Sequence, residues 1–151
     1  MDVAREPVRK RSVARRCHRA LASIRSIAMK LSTARVFVRD LEAAQTFYRD
    51  TLGLRLHASS SALGYCVFES GGVQLVVESV PEEAPADEQC LVGRFTGLSF
   101  TVENVAAAYE RLTSRNVSFS GAPETQSWGG ALATFKDPAG NELQLVQMNA
   151  G

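Results

Sequence analysis

Few residues in this chain of 151 are of types that do chemistry, and their spacing limits what they can do together. There are two histidines, His18 and His57, and three cysteines, Cys17, Cys66 and Cys90. An odd number of cysteines with no Cys-x-x-Cys spacing argues against both a disulfide framework and a zinc knuckle, and fits a reducing cytoplasm. No nucleophile, base and orienting group can be assembled from spacing, so catalytic residues are unassigned. Ser59-Ser60-Ser61 reads as a hairpin loop, and Cys66, in mid-strand, as a small core residue. The pairs Gly71-Gly72 and Gly129-Gly130 lack the strand, helix and lysine of a phosphate loop. What remains is a pair of amides. Gln74 in Val73-Gln74-Leu75-Val76 and Gln144 in Leu143-Gln144-Leu145-Val146 stand 70 residues apart in matching contexts. Each offers directional donors and acceptors. Trp128, between Ser127 and Gly129-Gly130, has a face that stacks on an aromatic or cationic ligand, or plugs the end of a sheet.

Those amides are positioned by a repeated set of elements. Ala34 to Val38 reads as a strand, Asp40 as the N-cap of a helix, and Leu41, Ala44, Phe47, Tyr48 and Leu52 follow at helical spacing. Gly53 suits the position just past that helix. Leu54 to His57, Gly64 to Glu69 and Val73 to Glu78 read as three strands, the last two joined at Gly71-Gly72. Residues 79–94, with two prolines and four acids, read as an exposed connector. Then the order restarts. Leu98 to Val102 is a strand, Asn104 a cap, Val105, Ala108, Tyr109 and Leu112 a helical stripe, and Val117 to Phe119, Ala131 to Lys136 and Glu142 to Met148 are strands. Asp40 and Asn104 lie 64 residues apart. A repeat of supersecondary units constrains a fold more than any single motif. Alternation then assigns Val73, Leu75 and Val77 to a face under a helix and Gln74, Val76 and Glu78 to the other. Leu143 and Leu145 likewise oppose Gln144 and Val146.

The composition, 45% hydrophobic and 22% charged, is that of a globular protein, and the length suits one domain. The net charge of +1 hides a division, because residues 1–30 hold nine Lys/Arg against two acids and residues 31–151 hold eight against fourteen. An acidic body repels nucleic acid and anionic membrane, so either partner would have to be met by residues 1–30. That segment can be drawn as a basic amphipathic helix with Val13, Cys17, Leu21, Ile24 and Ala28 on one face. It reads as a targeting presequence, a polyanion-binding arm, or an artefact of start assignment. The last is preferred, because Met29-Lys30-Leu31-Ser32 leads directly into a strand. The expected organisation is therefore an extension over 1–29 and a domain over 30–149, with modules 31–80 and 95–148. No apolar run reaches the roughly 18 residues that span a bilayer.

Three stretches together resemble the glyoxalase / bleomycin resistance / dioxygenase superfamily, the vicinal oxygen chelate proteins. They are Val38-Arg39-Asp40-Leu41 with Phe47 to Leu54, Thr96 to Val102, and Trp128-Gly129 with Phe135 to Leu145. The resemblance implies an α+β fold in which tandem βαβββ modules form a curved mixed-sheet half-barrel, with helices on the convex side and a ligand on the concave one. It also implies a homodimer. It does not imply a reaction, because the fold hosts isomerases, dioxygenases and drug-sequestering proteins alike. In metal-using members, ligands sit seven residues before the helix cap and on the last strand of each module. Here those places fall on Thr33, Gln74, Gly97 and Gln144.

A divalent metal requires imidazole, carboxylate or thiolate, usually with one anionic ligand. None stands at these four places, so no metal and no other cofactor is expected. The reading is a cytoplasmic small-molecule-binding protein with Gln74, Gln144, Thr33, Trp128, Val76 and Glu78 at the ligand. In it, Val76 and Val146 supply apolar surface and Glu78 attracts a cation. The alternative is a metal-dependent, glyoxalase-like lyase or an extradiol dioxygenase using other ligands.

Overall fold

Two short polar side chains start the helices where the repeat requires. In the computed structural model, which describes residues 28–149, the Asp40 carboxylate accepts the Ala43 N–H at 2.9 Å and opens α1 (Leu41–Thr46). Asn104 accepts the Ala107 N–H at 2.9 Å and opens α3 (Val105–Thr113). Each side chain satisfies a donor that the first helical turn leaves unpaired. The basic segment, with the helical reading of Val13 to Ile24, lies outside the described residues.

The first module comprises β1 (Thr33–Val38), α1, β2 (Arg55–Ser60), β3 (Tyr65–Ser70) and β4 (Val73–Ser79). Its sheet has the order β1-β4-β3-β2, with β1 parallel to β4 and the other pairs antiparallel. After a connector bearing the short helix α2 (Ala86–Gln89), the second module repeats the plan. It has β5 (Phe95–Thr101), α3, β6 (Ser118–Phe119), β7 (Glu124–Thr125), β8 (Ala131–Lys136) and β9 (Glu142–Gln147). The second sheet runs β5-β9-β8-β6, with β7 also on β8 and β5 parallel to β9. The α+β class with two mixed sheets is as expected. The sheets are separate and do not close into a barrel.

Several local expectations are corrected. Ser59 and Ser60 belong to β2, paired with Cys66 and Tyr65, and the turn begins only at Ser61. The register slips between Leu56 and Ala58, so His57 stands at a bulge. The first helix changes at Phe47 into one π-helical turn (Phe47–Thr51), which buries the neighbours Phe47 and Tyr48 together. The connector is mostly exposed, as expected, and also carries local structure. Gln89 donates to the carbonyls of Pro81 and Glu82, Val80 is buried, and Val92 bridges to Phe37 on the free edge of β1.

Alternation sorts the faces as expected. Val36, Val38, Leu75 and Val77 are buried on one side of the first sheet, and Ala133, Phe135, Leu143 and Leu145 on one side of the second. All eight belong to a single core with Phe47 and Tyr48. The Phe47 and Phe135 rings lie 6.5 Å apart and Tyr48 and Phe68 5.7 Å, so the first module's helical segment packs against the second module's sheet. The helix-covered faces of both sheets thus contribute to one core, which leaves the opposite face of each sheet open.

A buried polar cluster ties the modules. The Tyr48 hydroxyl donates to Asp137 Oδ2 at 2.9 Å, and Asp137 Oδ1 accepts the N–H groups of Ala139 and Asn141, both at 2.9 Å. Asn141, with no exposed surface, donates through Nδ2 to the Phe37 carbonyl at 2.8 Å and to Asp137 Oδ2 at 2.9 Å. Its Oδ1 accepts the Gly93 N–H at 2.8 Å. One side chain thus holds β1, the connector and the β8–β9 turn, and no buried polar side-chain atom among the described residues lacks a partner.

Candidate functional site

On the open face of the first sheet, strand register defines a row. Thr33 on β1 stands beside Gln74 on β4, which stands beside Glu69 on β3, which stands beside Arg55 on β2. The second row along the same face carries Arg35, Val76 and Val67, and the third Phe37, Glu78 and Tyr65. The expected Thr33, Gln74, Val76 and Glu78 therefore share one face, as register partners or alternate residues of one strand. An open cavity of about 490 Å³ is lined by Gln74 with Arg55, Glu69, Gly71, Gly72 and Val73.

The charges on this face are engaged. Glu69 accepts Arg55 at 3.3 Å and lies 3.2 Å from His57 Nδ1. Glu78 pairs with Arg35 diagonally across β4 and β1, one row away on the same face. The expectation that Glu78 attracts a cation is thereby altered, because a guanidinium of this chain already holds it. Nothing in the spacing of Arg35 and Glu78 signals that contact, which depends on parallel pairing 43 residues apart.

The open face of the second sheet carries a neutral row. Ser99 on β5 stands opposite Gln144 on β9, which stands opposite Thr134 on β8. The Ser99 hydroxyl donates to Gln144 Oε1 at 3.3 Å, and Gln144 Nε2 lies 3.5 Å from Thr134 Oγ1. Val146 and Leu132 pair in the next row. The place seven residues before the Asn104 cap is Gly97, but the residue across from Gln144 is Ser99. Gln144 pairs with Ser99, five residues before the Asn104 cap, whereas Gln74 pairs with Thr33, seven before Asp40. On the other side of Ser99 lies a bulge, where the five residues Phe95 to Ser99 stand against the three from Glu142 to Gln144. Thr96 fixes it by donating to the Glu142 carbonyl at 2.9 Å and accepting the Leu98 N–H at 3.1 Å. Gly97 takes φ +73°, where a Cβ is unfavourable. Because the bulge adds an even number of residues, it leaves the faces as alternation assigned them.

Trp128 sits in the turn before β8, 48% exposed, with its ring over Gly130. A Cβ at Gly130 would come within 1.7 Å of the indole, so glycine is what lets the ring lie there. Gln74 and Gln144 stand at matching points of their modules, and the cavity lined by Gln74 does not reach Gln144. A further cavity of about 470 Å³ opens between the modules, lined by Leu52, Leu54, Phe100, Leu112 and Leu145 among others. It contains none of the six expected residues. Arg55, Glu69, Ser99 and Thr134 were missed in the sequence. The Gly71-Gly72 turn fixes a register that sets Glu69 opposite Gln74, so that contact was readable.

The residues at the metal-binding places of the resemblance are thus Thr33, Gln74, Ser99 and Gln144. They offer two hydroxyls and two amides, with no anionic or imidazole donor, and this set does not fit a divalent ion. Among the described residues no three His, Cys, Asp or Glu side chains gather into a metal-holding group. Burial pushes the Cys66 thiol up to about 11, which disfavours its reactive thiolate.

The sequence profile of the Glyoxalase/Bleomycin resistance protein/Dioxygenase superfamily matches residues 30–145. The chain belongs to this superfamily. Two Bacillus subtilis relatives, the uncharacterized proteins YraH and YurT, are each 29% identical to it, over 80% and 79% of this chain and 99% of their own. A superfamily member from Sphaerobacter thermophilus has a solved structure with a TM-score of 0.67 at 29% identity, covering 80% of this chain and 98% of that one. TnmS3, an antibiotic binding protein from Streptomyces, matches with a TM-score of 0.62 at 28% identity, covering 82% and 98%. The lactoylglutathione lyase of Agrobacterium tumefaciens, at 20% identity and a TM-score of 0.64, shares the superfamily fold. Among the described residues no helix is long and apolar enough to cross a membrane.

Proposed function

We propose that this protein is a cytoplasmic small-molecule-binding homodimer that works without a catalytic metal. Its ligand lies between the open face of the first module in one copy and that of the second module in another. Thr33, Gln74, Val76 and Glu78 meet the ligand from the first face, and Gln144 and Trp128 from the second. One observation carries the reading. Matching amides stand on the open faces of the two sheets, and the cavity lined by Gln74 does not reach Gln144, so a second copy is what would close one pocket with both. The donor set at the metal positions, made only of neutral oxygens and amides, supports recognition over Lewis-acid chemistry. The antibiotic binding named for TnmS3 supports it by analogy.

The test uses chains blocked on one face. Gln74→Trp and Gln144→Trp each fill one row, so neither variant alone should bind an aromatic antibiotic that raises the Tm of the wild type. In a refolded mixture, each heterodimer regains one open cleft, built from the unblocked first module of one chain and the unblocked second module of the other. Because about half the dimers in an equal mixture pair unlike chains, recovery of about a quarter of the wild-type binding stoichiometry, with a dimer by sedimentation, is the expected result. A monomer in solution, or no recovery in the mixture, overturns the two-copy cleft.

A further inference from the structure

Every strand residue that carries a charge in the two sheets has an opposite charge beside it, with one peripheral exception. Arg35 pairs with Glu78, Arg55 with Glu69, and Lys136 with Glu142 at 3.6 Å, and His57 also faces Glu69. Glu124, on the two-residue β7 at the sheet's margin, is the exception among the described strands. Register puts all three pairs on the open faces. Glu78 and Arg35 share the face of Gln74, Glu69 stands beside Gln74 with Arg55 next along the row, and Lys136 and Glu142 are partners on the face of Gln144. The pairs are not helping the fold much, for ion pairs as exposed as these contribute little. Their effect is on what can be bound. A lone carboxylate in a cleft attracts a cation and a lone guanidinium an anion, whereas a close pair leaves only a short-range dipole. Around these pairs the faces offer aromatic surface, Phe37 and Tyr65 on either side of Glu78, and neutral donors and acceptors at Thr33, Gln74, Ser99, Gln144 and Thr134.

We infer that the cleft selects an uncharged aromatic molecule rich in hydrogen-bonding groups, and that the Arg35–Glu78 pair enforces that choice by cancelling charge at the site. The inference rests on the binding reading given above. A charged ligand would leave its hydration shell without gaining a free counter-charge. Breaking the pair from either side should therefore create a preference of predictable sign.

The experiment uses three probes on one ring system, naphthamide, naphthoate and naphthylmethylammonium, titrated calorimetrically against the full chain and two variants. Arg35 and Glu78 side chains are 57% and 29% exposed, so Arg35→Met and Glu78→Gln should fold normally, as thermal unfolding will verify. The wild type should hold the amide at least about tenfold more tightly than either ion, a difference of about 1.4 kcal/mol. Arg35→Met should move the ammonium to first place, and Glu78→Gln the carboxylate. If the wild type binds an ion as well as the amide, or the variants keep its ranking, the charge inference fails while the cleft stands. If no probe binds to any of the three proteins, the binding reading falls, and this inference with it.

Discussion

The two β-hairpins that end the modules occupy equivalent places and do different work. The β3–β4 turn is a pair of exposed glycines, Gly71 at φ +55° and Gly72 at φ +87°, the geometry of a tight hairpin and nothing more. The β8–β9 turn, Asp137 to Asn141, folds its two polar side chains inward, where they are 5% and 0% exposed. It reaches out of its own module to Tyr48, Phe37 and Gly93. The open faces differ in the same way, the first carrying ion pairs around Gln74 and the second a neutral row through Gln144. A duplicated unit therefore keeps its strand plan while its turns and faces diverge, one module organising the other.

If the β8–β9 turn is the organiser, removing its centre must cost most. Asn141→Ala strands the Phe37 carbonyl and the Gly93 N–H and takes one donor from Asp137, so it should lower stability by about 3 kcal/mol or more. Urea unfolding would measure this, and a loss below about 1 kcal/mol would put the two hairpins on equal terms. Tyr48→Phe should come next, at about 1.5–3 kcal/mol, the value of a hydrogen bond to a charged group. Its pH dependence is distinctive. Burial first, and the Asp137 carboxylate second, hold the Tyr48 phenol above its ordinary 10.0. The neutral phenol's stabilisation is therefore complete below the unfolded value and declines as pH rises beyond it. Alkaline unfolding should be steeper in the wild type than in Tyr48→Phe, and parallel curves would contradict the contact.

The amides allow a finer contrast. Gln144 is held by Ser99 and Thr134, whereas no hydrogen bond orders the Gln74 side chain. Changing each to Ala should weaken ligand binding by about 0.5–1.5 kcal/mol with little change in Tm, and Gln144 should cost more because its amide is already oriented. Equal losses would erase the distinction between the rows. The smallest effect expected is none at all. Zinc, nickel, manganese or ferrous iron should leave the Tm unchanged, since a metal bound at a hundred times its Kd would add about 2.7 kcal/mol. A chelator-sensitive rise of that order would revive the lyase and dioxygenase alternatives.

Much of the fold was legible because it rests on local rules. The caps at Asp40 and Asn104, the alternation of β4 and β9, and the matching of Gln74 with Gln144 needed only propensity and period. What escaped depends on partners distant in the chain. The pairing of Gln144 with Ser99, rather than with the residue seven before the cap, is a contact across 45 residues. The ion pair that occupies Glu78 needs the register of two parallel strands. The π-helical turn serves a tyrosine whose acceptor lies 89 residues away. Alternation can sort faces, but it cannot reveal how two correctly sorted faces are turned relative to each other.

The Asn141 contact also sets an order in time. Its Nδ2 closes on the Phe37 carbonyl across 104 residues, so β1 emerges from the ribosome long before the side chain that ties down its edge. At about 5–20 residues per second, that edge waits roughly 5–20 s for its partner during synthesis. Contacts of such long sequence separation form late and slow folding. In the interval an unpaired strand of Val36, Phe37 and Val38 is a template for another nascent chain. The connector residue Val92, which bridges to Phe37 some 50 residues sooner than Asn141 emerges, is placed to shield that edge first.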